Sequence, residues 1–222
     1  MKPVRANLCL TIAGRVMAQS TKVRRSNKER RRDSDERIIS AAIELFAQQG
    51  YLKTTLIQIG KVAGCTGTLV SNRFHSKEGL LRAVIAHIMS RFEDEERKDK
   101  PEKASDKMRD FLELYFKDVA QNEVRIRALH VLIGEALGAL PEIQDEITNV
   151  YTLFRGDIAR FIRYGLQSGE YRDDLDIDQT SILIVGILRG ITMQYLADPK
   201  TVDLDAMLPV IQKNILKELL KA

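Results

Sequence analysis

Small polar side chains that can donate and accept hydrogen bonds are concentrated in one short segment of the 222-residue chain. Thr66 and Gly67 open this segment, and Thr68, Ser71 and Asn72 follow at spacings that place them on one side of a helix. A helix that lies in the major groove of DNA needs small and polar residues there, because bulky side chains would hold its backbone away from the bases. We therefore expect this segment to contact base edges.

The residues before this segment predict two helices that would support it. In the first, apolar side chains recur at helical spacing from Ile38 to Phe46, and Gly50 is suited to a left-handed helix end. In the second, Thr55 and Gln58 have the spacing of a capping box, in which each side chain bonds the other residue's backbone N–H.

A tight turn and a third helix complete the pattern. Gly64 permits the positive backbone angle that the turn needs, and Thr66 can cap a helix of about eight residues. Val70 and Phe74, four residues apart, should face the interior. The order of the three helices predicts a helix-turn-helix, a motif that also occurs in proteins that bind no DNA.

Positive charge is concentrated before the first helix. Residues 1–37 contain 11 Lys and Arg against 4 Asp and Glu, a net charge of +7, whereas the whole chain carries +4. Few apolar residues interrupt the end of this stretch, so we expect an arm over residues 1–32 that is disordered until it meets a polyanion. Arg30, Arg31 and Arg32 would then add affinity by releasing counterions and entering a minor groove. The alternative interpretation is a solubilising tail.

The run TTLIQIGKVAGCTGTLVSNRFHSKEGLL resembles the DNA-binding segment of TetR-type transcriptional regulators. The residues that fall on the family pattern are Ile59, Ala63, Gly64, Thr66, Phe74, Ser76, Lys77, Glu78 and Leu80. The resemblance implies an all-α fold: an N-terminal three-helix helix-turn-helix DNA-binding domain followed by a larger C-terminal helical ligand-binding and dimerisation domain. It also implies that Lys77 contacts a phosphate.

Three positions depart from the family pattern, and one of them is Cys65, which stands where the family usually has valine. Gly60 stands where the family usually has alanine, which should cost about 1 kcal/mol of helix propensity, so we predict that it packs closely against the third helix. Ser71 stands where an aromatic side chain often reaches a phosphate, and Arg73 is long enough to compensate. Leu69 should either touch a thymine methyl group or be half-buried.

These observations give a predicted domain organisation and a predicted set of DNA contacts. The basic arm covers residues 1–32, the helix-turn-helix domain residues 33–80, and the helical regulatory and dimerisation domain residues 81–222. The expected DNA-binding residues are Thr55, Thr66, Gly67, Thr68, Leu69, Ser71, Asn72, Arg73 and Lys77, together with Arg30, Arg31 and Arg32 from the arm.

The remainder of the chain predicts further helices over about 77–97, 105–122, 124–137, 141–166 and 204–220. Between the last two, residues 182–188 are apolar on nearly every side, although the run is too short and too soon interrupted by Arg189 to span a membrane. We expect one face of this helix to meet the core and the other to meet a second subunit. The expected dimer-interface residues are Ile182, Val185, Gly186, Arg189, Gly190, Met193, Leu208, Ile211 and Ile215.

A pocket for an effector is implied by the family resemblance. Polar groups embedded in apolar helices are the places to look, because a pocket with a few convergent polar groups suits a small, mostly hydrophobic molecule. The candidates are His130, Glu135, Tyr151, Arg155 and Gln194, and each has the alternative of an exposed or locally satisfied side chain.

No pattern in the sequence indicates catalysis. The chain has 2 cysteines and 3 histidines without metal-like spacing, and it lacks a phosphate-binding glycine loop and a nucleophile elbow. We therefore expect neither an enzyme nor a cofactor or metal, and the cysteine content fits a reducing cytoplasm. The apolar run near the N-terminus is too short for a signal peptide, and residues 1–16 are interpreted as an upstream extension or a start-codon choice before Met17.

Together these features predict a cytoplasmic, sequence-specific DNA-binding regulator. Its partners would be double-stranded DNA, a second copy of the chain and an unknown small-molecule effector, with no membrane. We expect a homodimeric repressor that the effector releases from a palindromic operator. The alternatives are a regulator without a small-molecule ligand, constitutive or controlled by a protein partner, an activator, and a helical protein whose helix-turn-helix is incidental.

Overall fold

The computed structural model describes residues 26–93 and 103–221, and within them the fold is all-α, as predicted. A 3-10 turn, Pro141–Ile143, precedes the longest helix, and an isolated bridge joins Tyr171 to Leu220. The α-helices are α1 Asn27–Gln49, α2 Leu56–Ala63, α3 Gly67–Phe74, α4 Lys77–Glu93, α5 Ala104–Gln121, α6 Glu123–Ala136, α7 Gln144–Gln167, α8 Ile177–Ala197 and α9 Leu204–Leu219.

The first helix begins earlier than the prediction allowed. The Ser26 hydroxyl accepts a hydrogen bond from the Glu29 N–H at 3.1 Å, and the Glu29 carboxylate accepts one from the Ser26 N–H at 2.6 Å. This capping box stabilises a helix whose first residues have no apolar partners. Residues 27–32 are therefore helical and not part of a disordered arm, whereas the arm's residues 1–25 lie outside the described residues.

The first three helices share one small core. Ile38 and Phe46 from α1, Ile59 from α2 and Val70 from α3 are completely buried. The predicted caps are confirmed, because Thr55 accepts a hydrogen bond from the Gln58 N–H and the Gln58 side chain accepts one from the Thr55 N–H. The first three helices consequently present α3 on a compact support.

Helix α4 joins this unit to the rest of the protein. Its first turn is capped by Ser76, whose hydroxyl accepts a hydrogen bond from the Gly79 N–H at 2.9 Å. Leu80, Leu81 and Val84 are buried completely, and α4 also packs against α6 and α7. The predicted extension of α4 to about residue 97 lies partly outside the described residues, which resume at 103.

The C-terminal helices enclose the larger part of the hydrophobic core, which is continuous with the part inside the N-terminal unit. Helix α7 packs along α8, α5 packs on both α7 and α9, and α6 lies against α1. The side chains of Met108, Leu112, Leu129 and Ile158 are completely buried. This core therefore reaches the N-terminal unit through α6.

The loop after α7 fixes the start of α5. The Glu170 carboxylate accepts hydrogen bonds from the Ala104 N–H at 2.6 Å and from the Ser105 N–H at 3.3 Å, as well as from the Ser105 hydroxyl. Burial alone would raise the pKa of Glu170, but these hydrogen bonds outweigh it and hold the pKa below its ordinary value. A carboxylate at a helix N-terminus also interacts favourably with the helix dipole.

Helix α8 is 21 residues long and apolar enough to cross a membrane by length and composition. The prediction that this segment is too short for a membrane span was therefore wrong as to length. One side of the helix nevertheless packs into the core, where Ile184, Val185 and Leu188 are buried. Arg189 follows them and is also buried. The helix therefore has the character of a core helix in a folded domain.

Candidate DNA-binding face and effector region

Helix α3 exposes the polar residues that the sequence singled out. Thr66 caps the helix by accepting a hydrogen bond from the Leu69 N–H at 3.1 Å. Thr66, Thr68 and Asn72 are exposed. Leu69 is half-buried, which agrees with one of its two predicted environments. The outer face of α3 thus presents hydroxyl and amide groups.

Gly67 and Ser71 are partly buried, and they lie on α3 together with the three exposed residues. Thr55 is exposed at the start of α2, where it caps that helix. The structure thereby collects these predicted DNA-binding residues on two adjacent helix starts and one helix face.

The close contact between α2 and α3 explains Gly60. A Cβ atom on Gly60 would lie 2.8 Å from the backbone N of Gly67 and 2.8 Å from the carbonyl carbon of Thr66. A Cβ atom on Gly67 would lie 3.0 Å from the Cα of Ile57. Because these neighbours are backbone atoms, they cannot move aside cheaply. The prediction that Gly60 packs closely against the third helix is confirmed.

Arg73 and Lys77 make contacts within the protein that the sequence did not predict. The Arg73 guanidinium forms an ion pair with Asp35 of α1 at 3.2 Å, and its side chain is 20% exposed. The Lys77 ammonium donates a hydrogen bond to the Leu52 carbonyl at 3.3 Å and lies 4.1 Å from the centre of the Tyr51 ring. Burial lowers the pKa of Lys77. A phosphate contact by either residue would compete with these interactions.

The basic residues Arg30, Arg31 and Arg32 are exposed on the first turns of α1. The Arg32 side chain is 82% exposed and pairs with Glu36, one turn later, at 2.9 Å. Such an exposed pair contributes little to stability and leaves the guanidinium available to a phosphate. Helix α1 thus carries part of the positive charge that the arm was predicted to carry.

Glu135 was predicted as a ligand contact, and the structure assigns it another partner. Its carboxylate accepts hydrogen bonds from the backbone N–H of Tyr51 at 2.9 Å and of Leu52 at 3.4 Å. Both residues lie in the turn between α1 and α2. Glu135 therefore joins α6 to the helix-turn-helix unit, a contact that no local pattern could reveal because its partner lies 84 residues away.

Two other predicted ligand contacts lie away from the buried core. Gln194 is exposed on α8, where its amide donates a hydrogen bond to the Gly190 carbonyl at 3.4 Å, so its assignment to an interior pocket was wrong. Arg155 is half-buried on α7 and its guanidinium donates a hydrogen bond to the Thr152 hydroxyl at 3.4 Å. Both groups are satisfied locally.

His130 and Tyr151 lie in one cluster around Arg189, which was predicted to lie at the dimer interface and not beside a ligand. The Arg189 guanidinium lies 5.7 Å from the centre of the Tyr151 ring and 4.3 Å from that of Phe154. Tyr115 of α5 is buried beside them, with its ring 6.5 Å from that of Phe154. Four helices, α5 to α8, therefore supply polar and aromatic groups to one buried region.

His130 is neutral in this cluster. Burial, with a smaller contribution from the nearby charge of Arg189, lowers the pKa of His130 to about 4. Its Nδ1 lies 2.9 Å from the Ile126 carbonyl, so Nδ1 carries the hydrogen and Nε2 presents a lone pair. The Nε2 atom is buried and has no hydrogen-bond partner among the described residues.

The residues predicted to form a dimer interface divide into two groups. Val185, Arg189, Ile211 and Ile215 are buried inside the protomer, so their assignment to a subunit interface was wrong. When a helix is apolar on every side, its sequence does not show which side faces the core. The interface residues of α8 were therefore predicted on the wrong side of the helix.

The second group leaves an apolar surface on the outer side of α8. Ile182 is 53% exposed and Met193 is 60% exposed, with Gly186 exposed and Gly190 half-buried between them. A Cβ atom on either glycine would meet no other group within 4 Å, so the backbone there is open to close approach. Leu208 of α9 is half-buried and packs on the core.

Two surface clefts lie along α1, one beside α2 and one beside the junction of α5 and α6. Neither is lined by a predicted ligand residue. Within the described parts of the chain, no group of three His, Cys, Asp or Glu side chains could hold a metal ion. The candidate binding sites are therefore the α3 face and the buried cluster around Arg189.

Two family patterns match the sequence. The pattern described as "Bacterial regulatory proteins, tetR family" matches residues 38–84, and "BetI-type transcriptional repressor, C-terminal" matches residues 101–220. The second match alone covers more than half of the chain. The first coincides with the described α2–α3 unit and its flanking helices.

The chain is also similar to individual proteins that are named as regulators. The chain is 24% identical over 174 residues to a fatty acid metabolism regulator protein of Bacillus subtilis, covering 77% of this chain and 87% of that protein. It is 28% identical over 159 residues to the HTH-type transcriptional regulator SrpR of Pseudomonas putida, covering 72% and 71%. In fold it is similar to the fatty acid degradation regulator FadR of Bacillus halodurans, with a TM-score of 0.72 at 22% identity, covering 82% and 94%.

Proposed function

Because the chain belongs to the tetR family of bacterial regulatory proteins, and is therefore a DNA-binding transcriptional regulator and not an enzyme, we propose that it acts as a homodimeric repressor in the cytoplasm. A small, mostly hydrophobic effector would bind among α5 to α8 and release the protein from a palindromic operator. The match to a repressor C-terminal domain supports this direction of control.

The α3 face supports recognition of bases. Thr68 and Asn72 are exposed on this face, and an amide side chain can make two hydrogen bonds to adenine in the major groove. Thr55 and the first turns of α1 would contact phosphates at either side. The close backbone contact between Gly60 of α2 and Gly67 of α3 would hold α3 at a fixed angle to α2 during docking.

Dimerisation would follow from the apolar surface of α8. Ile182 and Met193 would be removed from water by the same surface of a second protomer, and Gly186 and Gly190 would let the two helices approach closely. Two copies of α3 would then read half-sites about 34–36 Å apart, or somewhat more.

One contact joins the effector region to the DNA-binding unit in the way that a ligand-controlled regulator requires. His130 faces the buried cluster, and Glu135, five residues later on α6, accepts hydrogen bonds from the turn between α1 and α2. A ligand that shifts α6 would therefore move the turn that positions α2 and α3. Such a ligand must bind the released state more tightly, by several kcal/mol, to act as a switch.

The function is tested by selecting binding sites from random double-stranded DNA with the purified full-length protein. A symmetric consensus with two half-sites, bound at a stoichiometry of two protomers, is the expected result. Gel-shift titration of that operator with candidate ligands then tests the control. A complex that tightens with ligand would indicate an activator or a corepressor, and a complex that no ligand affects would favour constitutive or partner-controlled binding.

A further inference from the structure

Arg189 is a buried cation without a buried anion to match it. Its side chain is 7% exposed, and its Nε and Nη2 atoms have no hydrogen-bond partner among the described residues. No ion pair to Arg189 occurs in the parts of the chain that the structure describes. Removing a guanidinium from water is unfavourable unless another group compensates its charge and its hydrogen bonds.

The aromatic neighbours compensate the charge only in part. Phe154 lies 4.3 Å and Tyr151 5.7 Å from the guanidinium carbon, distances at which the ring faces attract a cation. Stacking of this kind uses the flat faces of the guanidinium. The N–H groups point outward in its plane, so they still need acceptors.

The polar side chains near Arg189 do not provide an anion that could accept hydrogen bonds from its N–H groups. The Thr192 hydroxyl donates to the Leu188 carbonyl at 2.9 Å, so the Tyr115 hydroxyl, 3.0 Å away, donates its own hydrogen to Thr192. Asp118, the carboxylate that acts on Tyr115 from one turn along α5, is paired with Arg125. The cluster therefore holds one positive charge, aromatic surfaces and the lone pair of His130.

We propose that Arg189 anchors an effector that carries a carboxylate on a flat or chain-like apolar body. The planar guanidinium matches a carboxylate in a two-bond arrangement, and the rings of Phe111, Tyr115, Phe154 and Phe161 would line the apolar part. This inference rests on the proposed function, since it specifies the ligand class of the same region. It also disfavours cationic effectors, which Arg189 would repel.

Calorimetric titration of the full-length protein without DNA tests the ligand class. The probes are two matched pairs, naphthaleneacetate with naphthaleneacetamide and dodecanoate with dodecanamide, in which a carboxylate is replaced by a neutral amide of the same size. We expect at least one carboxylate to bind about ten-fold more tightly than its amide, one site per protomer, a ratio typical of a charge-assisted hydrogen bond.

Variants of Arg189 assign the preference to this side chain. Arg189→Met should reduce the preference for the carboxylate to less than about two-fold, and Arg189→Lys, which keeps the charge without the planar fork, should leave an intermediate preference. Equal binding within both pairs, no binding of any probe, or an unchanged preference in Arg189→Met would overturn the proposal.

Thermal unfolding without ligand separates a ligand anchor from a structural arginine. Arg189→Met removes a buried cation that has no anionic partner, so the melting temperature should stay equal or rise by about 2–4 °C. Arg125→Met is the matched control, because Arg125 is similarly buried but pairs with Asp118, and its loss should lower the melting temperature. An equally large fall for Arg189→Met would assign Arg189 to the fold and overturn the proposal.

The calorimetric and thermal measurements use no DNA, so a negative result would refute the ligand proposal without affecting the proposal that the protein binds an operator. Conversely, a protein that bound the carboxylates through Arg189 but selected no DNA sequence would refute the proposed function and retain the ligand site.

Discussion

The Glu135 carboxylate on α6 accepts a hydrogen bond from the backbone N–H of Tyr51 at 2.9 Å, joining two residues that are 84 positions apart in the chain. The same carboxylate accepts from the Leu52 N–H, and Lys77 of α4 donates to the Leu52 carbonyl. Helices α4 and α6 therefore both hold the turn between α1 and α2. Coupling between the domains has two routes, of which only the one through α4 was predicted.

Glu135→Ala should lower the free energy of unfolding by about 1–3 kcal/mol, because two backbone N–H groups lose their charged acceptor. Urea unfolding followed by circular dichroism measures the change. Glu142→Ala is the control, since Glu142 is exposed just beyond the end of α6, and it should change stability by less than about 0.5 kcal/mol. Equal effects of the two substitutions would contradict the role given to Glu135.

Gly60→Ala should destabilise the protein by about 1–3 kcal/mol and weaken operator binding, although alanine is the better helix former. The added Cβ atom would lie 2.8 Å from the backbone of Gly67 and push α3 outward. The control is Gly156→Ala on α7, where a Cβ atom meets nothing within 4 Å. That substitution should stabilise by about 0.5–1 kcal/mol, so the two changes are expected to have opposite signs.

His130 should make the protein less stable in mild acid. Its pKa is about 4 in the folded protein and about 6.5 when unfolded, so between these values the unfolded chain binds a proton that the folded chain does not. Stability is then lost as the pH falls, by about 2 kcal/mol between pH 7.5 and pH 5.

The measurement is urea unfolding of the parent protein, of His130→Asn and of His75→Asn at both pH values. The exposed His75 serves as the control, and only His130→Asn should remove the extra loss in acid. An equal loss in all three proteins would show that His130 does not cause it.

Met193→Glu should prevent the proposed dimer from forming, because it places a charge on the exposed apolar surface of α8. Light scattering after gel filtration gives the mass. Val124→Glu is the control, because Val124 on α6 is apolar and similarly exposed, at 51%. This substitution should leave the mass unchanged. A dimer that survives Met193→Glu would require another interface.

Asn72→Ala should change which base is preferred at one operator position, with a loss of about 1–3 kcal/mol of discrimination. Competition binding against operators altered at single positions measures this preference. Asn149→Ala, an exposed asparagine on α7, should have no effect. A uniform loss of affinity for every DNA sequence would remove Asn72 from the residues that read bases.

The helix-turn-helix could be predicted in detail because its signals are local. The capping box of Thr55 and Gln58, the left-handed Gly64 and the crowded Gly60 each depend on residues within about ten positions. The start of α1 was missed because residues 27–37 lack apolar periodicity, although Ser26 and Glu29 have capping-box spacing.

The buried cluster around Arg189 was harder to predict because its members come from four helices. His130 and Tyr151 were found as polar groups within apolar helices, but Arg189 was assigned to the subunit interface. Sequence spacing gives the face of a helix only when the other face is polar, and α8 has no such contrast. The contacts of Glu135 depend on tertiary packing and have no signature in the sequence.

The crowding of Gly60 against Gly67 leaves α3 without a hinge of its own. Because the two backbones are in contact at these glycines, we expect α3 to reorient together with α2 when the protein docks on DNA. Substitutions meant to change the preferred operator should therefore be confined to the outward side chains of α3, and Gly60 and Gly67 should be kept.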